Sequence, residues 1–283
     1  TLAIGSQAPA FSLPGIDGET HSLADYAASP VLAVVFTCNH CPASQLYEQR
    51  IQQLHDDYRS RGVAVVAINP DGPATISLKD LAYSDVPDTL AGMKERAGYR
   101  KLTYPYLYDG ETQAVASAFK VVATPQIYVF DSNRALQYVG RIDDNVQADR
   151  VKTRDARAAV DALLARQPVK VAATRLNGCP LKRIGESNEV ATEQAEIKAA
   201  RIDLQMVGKP ELAALRNNGT PKITLVNFWA TWCPPCIGEF PALQEIYRMY
   251  RSRNLELVTV SVDIPEAKPG VVTLLQEQFA SSR

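Results

Sequence analysis

Short, unbroken apolar runs alternate along this chain with longer stretches of helical period. VLAVVF (31–36) has no polar break, the pattern of a strand covered on both faces. After TCNHCP, the positions Tyr47, Ile51, Leu54 and Tyr58 recur at helical spacing and Gly62 supplies a stop. VAVVAINPD (63–71) then reads as a second buried strand. The pattern predicts strand, helix and strand, with two cysteines where the helix begins.

The same order returns late in the chain. ITLVNFW (223–229) predicts a strand, CPPC leads into a helix with Leu243, Ile246, Tyr247 and Tyr250 on one face, and LELVTVSVD (255–263) predicts another strand. YRSR closes both helices, at 58–61 and 250–253. An internal duplication of one βαβ unit accounts for the two frames. Between them ESNEVATEQAEIKAA (186–200) is polar and free of aromatics, and reads as a linker with some helical content. IDLQMV (202–207) is expected to open the second unit as a strand, and VVTLLQEQFASSR to end it as a helix.

Composition adds limits. A length of 283 residues suggests two domains at roughly 150 residues each. Hydrophobic content of 46% with 22% charged residues supplies ordinary globular cores. Thirty Lys and Arg stand against 31 Asp and Glu, which leaves no basic excess for nucleic acid or an anionic membrane. No stretch approaches the ~20 apolar residues of a spanning helix. The chain opens at Thr1 without a basic-then-apolar leader, which does not fix its compartment.

The cysteines carry the chemistry. Cys38 and Cys41 form one CxxC, Cys233 and Cys236 another, and Cys179 is alone. A shared four-cysteine zinc site would bring its pairs within about 15–20 residues; here most of the chain separates them. The three histidines, His21, His40 and His55, lack the spacing to complete a site, so no metal and no bound cofactor is expected. A helix N-terminus favours thiolate over thiol, and a second cysteine one turn later can resolve the mixed disulfide. Cys38 and Cys233 are therefore expected to react first. A purely structural role is disfavoured, because a four-residue loop removes little unfolded-state entropy. Cys179 is left over as a free thiol; its linkage to Cys38 or Cys41 would instead signal a three-cysteine relay. His40 can place charge or a donor beside the first thiolate, whereas Pro234-Pro235 removes backbone N–H groups, so the first pair is expected to be the more oxidising.

Through VNFWATWCPPCIGEFPALQEIY the second unit resembles the TlpA/ResA type of extracytoplasmic thiol–disulfide oxidoreductase. The resemblance implies Cys233 as exposed nucleophile and Cys236 as resolving thiol, Trp229 and Trp232 flanking the motif with Trp232 toward substrate, and Pro234-Pro235 as stiffeners. It implies Glu239 as proton acceptor for Cys236; a first-turn glutamate favoured by the helix dipole explains that residue equally. The first unit resembles peroxiredoxin-like redoxins of the AhpC/TSA superfamily. The residues that carry this are GSQAPAFSLPGIDGETHSL (5–23), with a turn at Asp17-Gly18, CNHCP, YPYLYDGETQAVASAFKVVATPQIYVFD (104–131), YVGRIDDN (138–145) and GCPLKR (178–183). The implied fold is thioredoxin-like, with Thr124-Pro125 as a cis-proline pair that faces the CxxC and offers main chain to substrate. Asp143, Asp144 and Cys179 match family positions. The threonine that peroxiredoxins carry three residues before the reactive cysteine is missing: Cys38 precedes Cys41, and Val35 precedes Cys38.

The expectation is an α/β protein of two thioredoxin-like domains, each a central mixed sheet flanked by helices: 1–185, a linker at 186–200, and 201–283. The second lacks the last strands, cis-proline loop and helix of a full fold, and should expose apolar sheet. The expected activity is thiol–disulfide exchange with protein substrates, fed by a membrane-bound or soluble thiol reductant. The resemblance implies an extracytoplasmic site, with any membrane tether outside this chain. The alternatives are a thiol peroxidase and a non-enzymatic metal-binding redox sensor or copper chaperone, since CxxC thiolates hold soft metals.

Overall fold

Residues 1–84, 86–186, 188–217 and 219–282 are described by the structure, a computed structural model. Two compact units result: Thr1–Ile76 with Tyr83–Ser187, and Ser77–Ala82 with Asn188–Arg283.

The first unit opens with a hairpin of β1 (Ser12–Pro14) and β2 (Thr20–Ser22). Its turn holds Gly18 at φ +91°, and the Asp17 carboxylate accepts from Glu19 N at 3.1 Å. The predicted strand–helix–strand follows as β3 (Val31–Phe36), α1 (Pro42–Arg59) and β4 (Val63–Asn69). The helical turn α2 (Leu78–Leu81) falls in the second unit. The first unit continues with α3 (Leu90–Arg100), β5 (Tyr106–Tyr108), α4 (Ala114–Ala118), β6 (Ala123–Thr124), β7 (Gln126–Phe130), β8 (Leu136–Gly140), α5 (Asp155–Leu164) and β9 (Cys179–Pro180). Five strands form one mixed sheet in the order β5-β4-β3-β7-β8, with β3 parallel to β4 and antiparallel to β7. This is a thioredoxin-like α/β sheet.

The unbroken apolar run of β3 has a direct cause. Alternate side chains point to opposite faces, and both faces are covered. Val31, Ala33 and Val35 join Tyr47, Ile51 and Leu54 of α1 in one core. Leu32, Val34 and Phe36 join Phe119, Tyr128 and Phe130 in the other. Phe36 meets Phe119 edge-on, with ring centroids 5.2 Å apart, a favoured aromatic geometry. The central strand thus ends rigidly at Phe36, two residues before Cys38.

The second unit contains α6 (Glu189–Ala199), α7 (Lys209–Arg216), β10 (Ile223–Trp229), α8 (Pro234–Tyr250), β11 (Leu255–Ser261) and α9 (Lys268–Glu277). β10 and β11 pair in parallel, as the duplicated pattern predicts. The expected strand at 202–207 does not form. Ile202 and Leu204 instead pack beside Trp229 and Phe240, so their alternation serves a core contact without a ladder. Helix α7 was not anticipated; Gly208 N donates to Glu211 Oε2 at 2.8 Å at its start, and Pro210 lies in its first turn. Ile223, Leu225 and Phe228 are exposed on β10.

Glu48 of α1 is buried and ion-paired with two arginines of α3, Arg96 and Arg100. Removing one partner of such a group leaves a buried charge uncompensated. Glu48→Ala is expected to destabilise the first unit by about 3–5 kcal/mol. Urea unfolding followed by far-UV circular dichroism is the check, since both tryptophans, Trp229 and Trp232, lie in the second unit.

Candidate active site

The CNHC segment leaves the end of β3 and enters α1 one residue after Cys41. Cys41 is the N-cap, in extended conformation, and Pro42 opens the helix. The helix start therefore belongs to the second cysteine, and the expected placement of Cys38 at the helix N-terminus is corrected. Cys38 lies in the preceding loop, at 1% exposure, with Cys41 at 0%.

A buried carboxylate shapes that loop. Asp88 Oδ1 accepts from Asn39 N at 2.7 Å and from Asn69 Nδ2 at 2.8 Å. Its Oδ2 accepts from His40 N at 3.2 Å and His40 Nδ1 at 2.8 Å. Asn39 Nδ2 donates to Pro87 O, and Gln45 Nε2 to Asn39 O. His40 is thus fixed in orientation near Cys38 and Asp71; the three offer ligand-type atoms within 4.8 Å of one another. Thiolate, imidazole and carboxylate are together a donor set that a borderline divalent metal accepts.

Burial pushes the Cys38 thiol up to about 11, against the pull of His40 and with the help of the Asp71 and Asp88 charges. Burial opposes a charged His40, yet an ionised Cys38 and the Asp88 hydrogen bond outweigh it and raise the imidazole above its usual range. Asp71 is raised to about 7, chiefly by burial, with His40 opposing. Its Oδ1 has no hydrogen-bond partner among the described residues.

Thr124 faces this group from the opposite element. The Thr124–Pro125 peptide is cis. Thr124 Oγ1 lies 3.2 Å from Cys38 Sγ, and Thr124 O lies 3.4 Å from Cys41 Sγ. Ser44 Oγ stands 3.8 Å from Cys38 Sγ. Hydroxyls thus flank Cys38 although the expected peroxiredoxin threonine is missing from the sequence. Cys179 is not the free thiol expected: it is disulfide-bonded to Cys41, and Cys38 is free. The tail that carries it pairs with β6 as β9, Thr124 opposite Cys179. The matched aspartates lie elsewhere. Asp143 is buried and receives Arg50 Nη1 at 2.7 Å, and Asp144 Oδ1 accepts from Lys152 N at 2.8 Å.

In the second unit the frame is shifted by one turn. Cys233 is the N-cap of α8, with Pro234 and Pro235 opening the helix and Cys236 in its first turn. Cys233 and Cys236 form a disulfide, and both are half-buried. Trp232 is 71% exposed beside them, whereas Trp229 is buried against Phe240. Glu239 is exposed and lies in the second turn of α8, which corrects its first-turn reading. Asp263, which sequence reasoning missed, fixes the loop ahead of the motif: its carboxylate accepts from Thr231 N at 3.0 Å and Thr231 Oγ1 at 2.7 Å.

Two outcomes follow. In oxidised protein, alkylation of Cys38 by iodoacetamide should show an apparent pKa above that of an ordinary thiol, and His40→Ala should move it higher still, because the pull of His40 is lost. Rates mapped by mass spectrometry from pH 6 to 10 check this. Cys236 packs against the cluster that holds Trp229. Reduction of Cys233–Cys236 should therefore raise tryptophan emission, an effect lost in Cys233→Ser/Cys236→Ser and kept in Cys41→Ser/Cys179→Ser; a fluorescence titration with dithiothreitol measures it.

Thiol–disulfide oxidoreductase ResA of Oceanobacillus iheyensis is 48% identical over 42 residues, 15% of this chain and 22% of that protein. ResA of Bacillus subtilis is 40% identical over 52 residues, 18% of this chain and 27% of that protein. The chain spans about a quarter of the length of these curated relatives. Two solved structures are similar over much more: a hypothetical protein from Sinorhizobium meliloti 1021, at 31% identity and a TM-score of 0.58, covers 65% of this chain and 97% of its own. An uncharacterized conserved protein from Geobacillus kaustophilus, at 31% identity and a TM-score of 0.58, covers 66% of this chain and 95% of its own. The AhpC/TSA family model matches as a single domain split over residues 4–139 and 195–279. That match takes in well over half of the residues, each stretch with its own strand–CxxC–helix, and the chain belongs to the AhpC/TSA family.

Proposed function

We propose that this protein is a thiol–disulfide oxidoreductase with two reacting centres, Cys38/Cys41 and Cys233/Cys236, carried on tandem thioredoxin-like domains at 1–185 and 201–283 and joined by 186–200. The observation that carries the reading is shared by both centres. Each cysteine pair sits between the carboxyl end of a parallel strand and the start of a helix. There, unpaired backbone N–H groups and the helix dipole favour thiolate at the cap cysteines, Cys41 and Cys233, and open α/β sheets receive their ligands.

In the second domain Cys233 attacks a partner's disulfide or yields to its thiol, Cys236 resolves, Glu239 accepts the proton and exposed Trp232 meets the partner. In the first, Thr124 and Pro125 present main chain to the partner and His40 supports the Cys38 thiolate. Protein thiols and disulfides are the substrates, and a membrane-bound or soluble thiol is the electron donor. A place outside the cytoplasm belongs to this proposal; the closed disulfides support it, since such bonds persist in oxidising compartments. No helix among the described residues is long and apolar enough to cross a membrane.

Thiol peroxidase is the second reading, favoured by the Thr124 and Ser44 hydroxyls beside Cys38. Two assays separate them. With dithiothreitol as donor, the protein should reduce insulin disulfides, Cys233→Ser/Cys236→Ser should lose part of the rate, and the further change of Cys38 and Cys41 to serine should bring it to background. Unchanged insulin reduction in that quadruple variant refutes the proposal. Hydrogen peroxide consumption abolished by Cys38→Ser, without insulin reduction, selects the peroxidase.

A further inference from the structure

Three sulfurs of the first unit converge on one residue. Cys38 Sγ lies 3.2 Å from the Thr124 hydroxyl, Cys41 Sγ lies 3.4 Å from the Thr124 carbonyl, and Cys179 is the residue paired with Thr124 across the β6–β9 bridge. The tail is held there. Leu181 N donates to Val122 O at 3.0 Å. Gln113 grips the tail at both ends of its amide: Nε2 donates to Lys182 O at 2.8 Å, and Oε1 accepts from Ile184 N at 2.9 Å. Gly178 permits the approach, since a Cβ there would stand 2.3 Å from Thr124 O. Exposure differs sharply among the three. Cys38 and Cys41 are at 1% and 0%, whereas Cys179 is partly exposed and precedes an exposed Pro180. Of the three cysteines, the one on the tail is the least removed from solvent.

We propose that Cys179 is a third redox residue, which carries the disulfide between the buried CxxC and the surface. This rests on the thiol–disulfide reading above. In the internal step the Cys38 thiolate attacks Cys41 Sγ. The Cys38–Cys41 bond forms, the Cys41–Cys179 bond breaks, and the electron pair passes to Cys179 Sγ. The proton lost by Cys38 is matched by the one gained by Cys179, so no net oxidation occurs. In the external step a partner dithiol attacks Cys179 Sγ of the Cys41–Cys179 form, and Cys41 leaves as thiolate. The partner's second thiol then breaks the mixed disulfide and releases Cys179. The partner loses two electrons and becomes a disulfide; the first unit gains them as two thiols. Attack is directed to Cys179 because exchange needs access to the sulfur attacked.

The test uses the full chain carrying Cys233→Ser and Cys236→Ser, oxidised, alkylated with iodoacetamide at pH 8 and mapped without reduction. Two products are expected: Cys38 labelled with Cys41–Cys179 intact, and Cys179 labelled with Cys38–Cys41 intact. Adding Cys38→Ser removes the internal nucleophile, and labelling of Cys179 should fall by about tenfold or more. Adding Cys179→Ser should give Cys38–Cys41 as the sole linkage. A Cys179 that is never labelled while Cys38 is present makes the bond a static staple and overturns the proposal. Equal labelling of Cys179 with and without Cys38 overturns it as well. Because the readout is linkage, these failures differ from a failure of insulin reduction, which would remove the underlying function.

Discussion

The first centre depends on one buried carboxylate. Asp88 is almost wholly removed from water and is satisfied by Asn39, His40 and Asn69. An ionised group in such a place is tolerated only when charge-assisted hydrogen bonds replace its hydration. The loop between β3 and α1 is therefore held in the conformation that brings Asn39 N, His40 N and His40 Nδ1 to this one carboxylate. That conformation turns His40 toward Cys38 and Asp71 and leaves both cysteines under the Thr124–Pro125 strand. A chain that lost Asp88 would leave two backbone N–H groups and an imidazole without partners in the same small volume.

Much of this was legible in the sequence, for physical reasons that can be named. β3 and β4 announced themselves because strands buried on both faces admit no polar residue. The turns at Gly18 and Gly62 rest on backbone that glycine alone adopts cheaply. The two CxxC pairs were placed correctly between strand and helix, and missed by one turn in the first unit, because Pro42 rather than the cysteine sets where the helix can begin. Asp88 and Asp71 were not legible. Each sits in a loop, and its partners are 19 to 49 residues away or unrelated in spacing, so no local period marks them. The pairing of Cys179 was hidden for the same reason: its partner is fixed by the β6–β9 bridge, a contact of two residues.

The two centres also differ in how they meet solvent. The second keeps its disulfide within the CxxC, at a helix cap, with Trp232 and Glu239 open to water. The first buries its CxxC and gives its surface contact to a distant tail. One fold element, a strand feeding a helix through two cysteines, thus occurs here in an open and a covered setting. The difference lies in what else the chain lays over the motif.

That covering changes what the disulfide does to the chain as a whole. Cys41 and Cys179 are 138 residues apart, so their bond closes a loop that takes in most of the first unit, whereas a Cys38–Cys41 bond closes almost nothing. By the chain-entropy relation, the two linkages differ by about 3 kcal/mol in how far they restrict the unfolded ensemble. Moving one bond by one sulfur therefore loosens or tightens the whole unit with no electron gained or lost. Its resistance to unfolding, and with it to proteolysis, becomes a property of where the bond sits and not only of whether the protein is oxidised.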